Sequence, residues 1–530
     1  MINCFLTTNA QNFTEILGRP TDTSITMSIL LDQKTEVYWE YGTIAGNYTK
    51  TTTTSVAEAN IPIEVDIRSL TGNTKYYYRT RYRLFGNTSS FLNGAEHYFQ
   101  TQRSAGSTFS FVVEADPHLD TNTNPASYTL TLQHMLSKKP DFLIDLGDNF
   151  MSEKLTTGTQ AEITARTLLF RDYFKEACHS VPLYLTIGNH EGELGWLPMS
   201  TATSIPVMTA NTRKLYYPNP FPNTFYSGNT VSEPNVGIRE NYYAWEWGDA
   251  LFMVIDPYWY TKSKPGWGWT LGLDQYNWFK KTITTSKAKF KFVFSHQLVG
   301  GNGNDARGGS EFAGLFEQGG YNLDGTYGFD TYRAGWGKPI HQLMNENNGV
   351  IYFHGHDHFF GKQDKDKVVY QEVPQPSAKN ITSITGTDPA YGYTNGILMS
   401  NRGYIYVSVS PDSVKVDYIK TYLPTEENTS RKNGTIAYTY TIKPSVVTGI
   451  NEIFQKEFVK VFPSPTKDKI NIQFTEPTLK FNIKLINIQG KTVVETKSSA
   501  IDVSRLISGI YFVAIDTEQY HIIRKVVVGK

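Results

Sequence analysis

The stretch DFLIDLGDN (residues 141–149) decides how the middle of this chain folds. Its apolar run is too short for a helix and shows no polar alternation, and it stops on Gly147-Asp148-Asn149. A strand without alternation is one covered on both faces. Working outward, FSFVVEADPH (109–118) and PLYLTIGNHE (182–191) repeat the plan of apolar run and short polar motif. Helical patterns lie between them, over Pro125 to Lys138 and around Ala161 to Ala177. ALFMVID (250–256), KFKFVFSH (289–296) and VIYFHGHDH (350–358) continue the series. Such strands alternating with helices predict a layered α/β domain, covered on both faces, over residues 107–447. GYIYVSVSPDSVKVDYIKTY (403–422) reads as a hairpin closing it, and TEENTSRKNGT (425–435) as a surface loop. Residues 201–240 and 299–340, rich in Gly, Asn, Pro and aromatics, read as long loops, which in compact domains form functional lids or walls.

Five motifs end these runs: Asp116-Pro117-His118, Gly147-Asp148-Asn149, Gly188-Asn189-His190-Glu191, Ser295-His296 and Gly355-His356-Asp357-His358. Strand carboxyl ends are where ligands collect in an open α/β sheet. Taken alone, each motif has an ordinary reading. Asp116-Pro117-His118 is a surface turn, Gly188-Asn189-His190 a tight turn, and His296 a core or capping histidine. Five in succession, all supplying oxygen or imidazole donors, point instead to a metal site.

The pattern D-x-H, G-D, G-N-H-E, a later His and G-H-x-H resembles the calcineurin-like metallophosphoesterase superfamily, which includes the purple acid phosphatases. All five parts occur in order, and the resemblance spans about 107 to 422. It implies an αββα metallophosphoesterase domain with one metal held by Asp116, His118, Asp148 and His358. A second metal would share Asp148 and add Asn189, His296 and His356. Two ions about 3.5–4 Å apart clamp the attacking and leaving oxygens of an in-line displacement and activate a water between them. His190, following a ligand, would stabilise the phosphoryl charge and protonate the leaving alkoxide. Glu191 or Asp357 would orient it; Glu191 equally reads as charge at a helix N-terminus. His354 reads as structural or as an outer support of the ligands. In the purple acid phosphatases the first motif ends in Gly and a Tyr three residues after the bridging Asp binds ferric iron. Here His118 and Met151 occupy those places, which leaves Fe, Mn or Zn, divalent or trivalent, all open.

Arg307 is a candidate substrate contact beside Asn189 and His190, because a guanidinium forks onto phosphate; its bland reading is a solvated loop arginine. Arg333 precedes the last metal motif, and Trp259, Trp267 and Trp269 either wall a pocket or pack in the core. The expected activity is that of a phosphomonoesterase on a small phosphorylated substrate. A phosphodiesterase acting on nucleotides or glycerophosphodiesters is the alternative within enzymes, and a non-catalytic phospho-ligand binding protein the alternative outside them.

On either side the chain changes character. Residues 1–104 read as short strands between turns, a β-sandwich. LTGNTKYYYRTRYR (70–83) resembles the late strand of a fibronectin type III-like domain. Residues 450–530 read as a small all-β module. VFPSPTKDKINIQF (461–474), KLINIQGKTV (484–493) and IDVSRLISGIYFVAI (501–515) resemble the type A sorting domain of the type IX secretion system in Bacteroidetes. Ser464 stands where Asn is more usual. That resemblance implies secretion, or display at the cell surface, by the type IX machinery. The start, MINCFLTTNAQNF, lacks the basic stretch and apolar run of a signal peptide. The protein is therefore cytosolic or its signal is missing from this sequence, and the far end favours the second. Lys plus Arg and Asp plus Glu are 50 each, which argues against a nucleic-acid binder. No run of 18 apolar residues is present to span a membrane. Cys4 and Cys178, one at the terminus and one beside a helix end, are too few for a disulfide framework.

Overall fold

The structure is a computed structural model and describes residues 12–347, 349–384, 386, 389–444, 459–474, 481–517 and 521–529. It divides into two compact units, Met1–Pro444 and Ser445–Lys530. No described helix is long and apolar enough to cross a membrane.

Two sheets build the centre of the first unit. One runs Leu183–Leu185, Leu143–Asp145, Phe109–Glu114, Gly403–Ser410, Ser413–Lys420, Ile436–Ile442 in spatial order. The other has eight strands, with Ala250–Val254, Phe290–Phe294 and Val350–His354 side by side and parallel. Phe111, Val113, Ile405 and Val407 of the first sheet meet Phe252, Phe292, Phe294 and Phe353 of the second in one buried cluster. The outer face of the first sheet packs on the helices Pro125–Ser137 and Gln160–Cys178 through Leu132, Met135, Phe170 and Phe174. That of the second packs on Leu273–Thr285 and Ile340–Glu346 through Tyr276, Phe279, Leu343 and Met344. This is the expected αββα layering, and it explains why Phe290–Phe294 and Val350–His354 are buried at every position.

The helices begin where their caps say. Asn124 accepts from Ala126 N ahead of Pro125, and Thr159 with Glu162 closes a capping box. Residues 201–240 depart from the long-loop reading, because Ile205–Tyr216 is a helix. Val207, Ala210 and even Arg213 are buried on it. Arg213 is sheltered by a salt bridge to Glu193, with a nitrogen–oxygen distance of 2.6 Å. Residues 299–340 hold only the short helices Phe316–Gly319 and Phe329–Tyr332. The hairpin of 403–420 is joined by a further strand, Ile436–Ile442, after the polar loop. Cys178 is buried with its thiol unpaired, and Cys4 lies outside the described residues.

Residues 13–100 form two facing sheets, one of Phe13–Gly18, Ile25–Leu31 and Ile63–Ile67, the other built on Thr35–Gly42, Lys75–Leu84 and Leu92–Gln100. Met27, Ile29, Trp39, Tyr78 and Phe99 fill the space between them. Arg171, fully buried on the helix Gln160–Cys178, donates to Ser28 O at 2.9 Å and Thr14 Oγ1 at 2.8 Å, tying this sandwich to the layered domain. The second unit is also a sandwich, of three and four strands, closed by Ile470, Leu485, Ile501, Val513 and Val526.

Candidate metal centre

Leu143–Asp145 is parallel to both Phe109–Glu114 and Leu183–Leu185, and Phe290–Phe294 is parallel to Val350–His354. Five carboxyl ends therefore open on one crevice, each followed within a few residues by its motif. Asp116, His118 and His358 bring ligand atoms within 4.8 Å of one another, as do Asp148, His296 and His356. A third grouping, His118, Asp148 and His190, places Asp148 between the two. Asp148 Oδ2 lies 3.4 Å from His118 Nε2 and 3.2 Å from His296 Nε2. Asp116 Oδ1 lies 3.3 Å from His358 Nε2, and Asn189 Oδ1 3.0 Å from His296 Nε2.

The donor set fits cations. Asp116 Oδ1, Asp148 Oδ2 and His118 Nε2 are buried without a hydrogen-bond partner, which is costly unless something positive lies among them. The imidazoles turn one ring nitrogen each toward that centre. His296 Nδ1 faces Leu146 O at 3.0 Å and so carries the hydrogen, leaving Nε2 aimed at oxygens. His118 Nδ1 faces Asp120 Oδ2 at 3.4 Å, and His356 Nε2 faces Asp305 O at 2.7 Å. Such outer partners fix tautomer and ring orientation in metal sites. Electrostatics agree. Burial lowers the His296 pKa, but Asp148 and Asp116 outweigh it and lift it to about 9. Burial raises Asp116, yet His358 and His296 hold it below the usual carboxylate range. Burial likewise raises Asp148, and His190 and His296 bring it below.

Holding these groups together strains the backbone. Asp116, His118, Asp148, His356 and His358 all have positive φ, between 48° and 78°, a region side chains rarely adopt. Glycines let the loops touch. A Cβ on Gly188 would lie 2.3 Å from Asp148 Oδ1, and one on Gly355 2.5 Å from Asp116 Oδ2. Glu191 clamps the result, accepting from Asp148 N at 2.9 Å, Asn149 N at 2.6 Å, Phe150 N at 3.3 Å and, more closely, Gly188 N. No helix begins at Glu191, so its reading as helix N-terminal charge falls, and its carboxylate is spent on these backbone N–H groups and not on the His190 imidazole. His190 Nδ1 is held instead by Glu153 Oε1, and its Nε2 lies 2.9 Å from Lys154 Nζ. Burial lowers the His190 pKa, but Asp148 and Glu153 leave it raised overall.

Asp357, the other residue expected to orient His190, is engaged elsewhere. It accepts from Arg307 Nη1 at 3.0 Å, Gly308 N at 2.7 Å and Tyr393 OH at 2.9 Å. Arg307 also donates to His356 O at 3.2 Å, so its first partners are the last metal motif, although it lines the cavity. His354 is buried against Glu372, 2.7 Å away, beneath the ligands. Arg333 is tied to Glu317 and to Trp267 O and Trp269 O. Trp269 walls the cavity together with Trp196, while Trp259 packs under Arg239 and Trp267 stacks on Tyr332. The cavity measures about 480 Å³ and takes in His118, Asp148, Asn189, His190, His356 and His358 with Glu153, Lys154, Lys264 and Arg307. Glu153, Lys154, Trp196 and Lys264 escape the sequence reading because no motif flags them. Asp120, which faces His118 Nδ1 and lies two residues after it, carried a local signal that could have found it.

Comparison with known proteins bears on this arrangement. The calcineurin-like phosphoesterase family matches residues 109–360, and the secretion system C-terminal sorting domain matches 460–529. No curated protein matches the chain. Among solved structures, PhoD is similar with a TM-score of 0.58 at 17% identity, over 81% of this chain and 90% of PhoD. The purple acid phosphatase PPD1 of yellow lupin (Lupinus luteus) seeds is similar with a TM-score of 0.51 at 14% identity, over 82% of this chain and 74% of its own. Those likenesses are of fold. The sorting domain indicates export by the type IX system to the cell surface or the extracellular space.

Proposed function

We propose that this chain, a phosphoric ester hydrolase with a calcineurin-like phosphoesterase domain over residues 109–360, is an exported dinuclear-metal phosphomonoesterase. The observation that carries this reading is the set of buried atoms on Asp116, Asp148 and His118 without a hydrogen-bond partner, gathered with the Nε2 atoms of His296 and His358. Asp116, His118, Asp148 and His358 would hold one cation, and Asp148, Asn189, His296 and His356 the other, of Fe, Mn or Zn. When bound, the ions supply charge neutralisation at the phosphoryl oxygens and a nucleophile from water near neutral pH.

The chain's own groups do the rest. His190, with Nδ1 held by Glu153, presents Nε2 to the cavity beside the Lys154 ammonium, so a transferable proton sits between them. As the ester P–O bond breaks, the leaving oxygen takes that proton, and water restores it to the pair. Lys154 adds positive charge at the cavity wall, which suits the dianion of a monoester better than the single charge of a diester. The type IX machinery is the partner proposed for residues 460–529.

Hydrolysis of p-nitrophenyl phosphate against bis(p-nitrophenyl) phosphate, with metal analysis of the same preparation, tests the reading. The expected result is two metal equivalents and a monoester kcat/KM at least about tenfold the higher. A diester preference would make the protein a phosphodiesterase. Bound metal with neither ester cleaved would leave a phospho-ligand binding protein.

A further inference from the structure

Among the described residues, one cation at the cavity wall rests on aromatic rings and is paired with no carboxylate. Lys264, half-buried, extends its ammonium over the Trp196 ring at 4.4 Å and the Trp269 ring at 5.5 Å. The two rings meet edge to face at 5.5 Å. Trp196 continues the loop that carries Asn189 and His190, so the aromatic wall belongs to the same crevice as the metal ligands.

The other charged groups around the cavity are committed. Arg307 is paired with Asp357, Glu153 with His190, and Lys154 points at His190 Nε2. Asp120 faces His118 Nδ1 and accepts from Asn122 N at 2.8 Å. Among the described residues, no carboxylate lies within 4.0 Å of Lys264 Nζ. An ammonium over indole faces is held there by the ring quadrupoles as a cation–π partner. That arrangement stores a cation, partly desolvated, for an anion arriving from the cavity side.

The phosphoryl group itself is accounted for by the metal ligands and His190. On that reading of the site, what reaches Lys264 is the remainder of the ester. We infer that Lys264 recognises a second anionic group, a carboxylate or further phosphate, on the alcohol portion of the phosphomonoester. The preferred substrates are then phosphorylated acids or bisphosphates and not esters of neutral alcohols.

Matched esters test this. 3-Phosphoglycerate and glycerol 3-phosphate differ by a carboxylate in place of a hydroxymethyl group. The wild-type protein should prefer the acid by at least about fivefold in kcat/KM, and the preference should shrink as salt is raised. Lys264→Met, which keeps an unbranched chain on the rings, should bring the acid-to-alcohol ratio down to about one, through KM, because the charge-assisted contact is lost. Lys264→Arg should restore most of it. No preference in the wild type, or a ratio unmoved by Lys264→Met, overturns the assignment while p-nitrophenyl phosphate hydrolysis still stands. Failure to split any monoester overturns the phosphomonoesterase reading and this inference with it.

Discussion

Alanine at position 188 places a Cβ 2.4 Å from Asp148 N, 2.3 Å from Asp148 Oδ1 and 2.6 Å from Glu191 Oε2. Ordinary contact for a Cβ begins at 3.4 Å, so the two ligand loops must part by about 1 Å. A side chain could rotate away, but the nearest obstacle includes backbone held by the Glu191 carboxylate. Two consequences follow from that displacement. The crowding costs about 1–3 kcal/mol of stability, as overpacking does. The larger effect is on the site. Asp148 Oδ2 is 3.2 Å from His296 Nε2 and 3.4 Å from His118 Nε2, so moving Asp148 by about 1 Å shifts it against ligands of both proposed ions. A misplacement of that size costs roughly 10²-fold in rate. Gly188→Ala should therefore fold, retain fewer than two metal equivalents, and lose about two orders of magnitude in kcat/KM on p-nitrophenyl phosphate. Gly72→Ala is the control, since its Cβ would meet nothing closer than Asp22 O at 3.5 Å. If Gly188→Ala keeps two equivalents and stays within about threefold of wild type, close packing of the two loops does not set the site.

Two further outcomes separate protons from metals. His190→Ala should keep its metal content while kcat falls roughly 10²–10⁴-fold, more for esters with poor alkoxide leaving groups than for p-nitrophenyl phosphate; loss of metal would make His190 a ligand. Metal affinity should rise with pH: His296 is lifted to about 9, so in the metal-free protein it is protonated at neutral pH and must lose that proton to bind. Between pH 7 and 9 the apparent affinity should climb about hundredfold, a factor of ten per unit for one proton, and flat titrations across that range would remove His296 as a ligand.

Much of the layered domain was legible because burial on both faces leaves a continuous apolar run, as at Ala250–Val254 and over residues 350–353. The helices after Asn124 and Thr159 were legible as helical patterns between the strands, and the structure adds the caps that fix where they begin. What could not be read is which strand pairs with which. Phe109–Glu114 lies beside Gly403–Ser410, from the far end of the domain, and nothing local in either segment says so. The helix Ile205–Tyr216 was hidden for a different reason. Its buried side includes Arg213, acceptable only because Glu193 and the carbonyl of Arg239 meet it, and those partners are invisible in a periodicity argument.

The site divides along the same line. Candidate metal ligands come from few residue types and sit where strands end, so the family resemblance could be carried over position by position onto Asp116, His118, Asp148, Asn189, His296, His356 and His358. The groups that aim them could not be reached that way. Glu191 looked like a partner for His190 because it is adjacent in sequence, yet chain direction turns its carboxylate back onto four backbone N–H groups while Glu153 reaches the imidazole. Arg307 looked available for phosphate because it lies among glycines, yet those glycines let the loop fold onto Asp357. In both cases a charged side chain was assigned to substrate or catalyst when the fold first needed it to hold a strained ligand loop. Positive φ at Asp116, His118, Asp148, His356 and His358 is the strain being held. A charge near such loops is therefore more informative when it has no such duty, which is what sets Lys264 apart from Arg307.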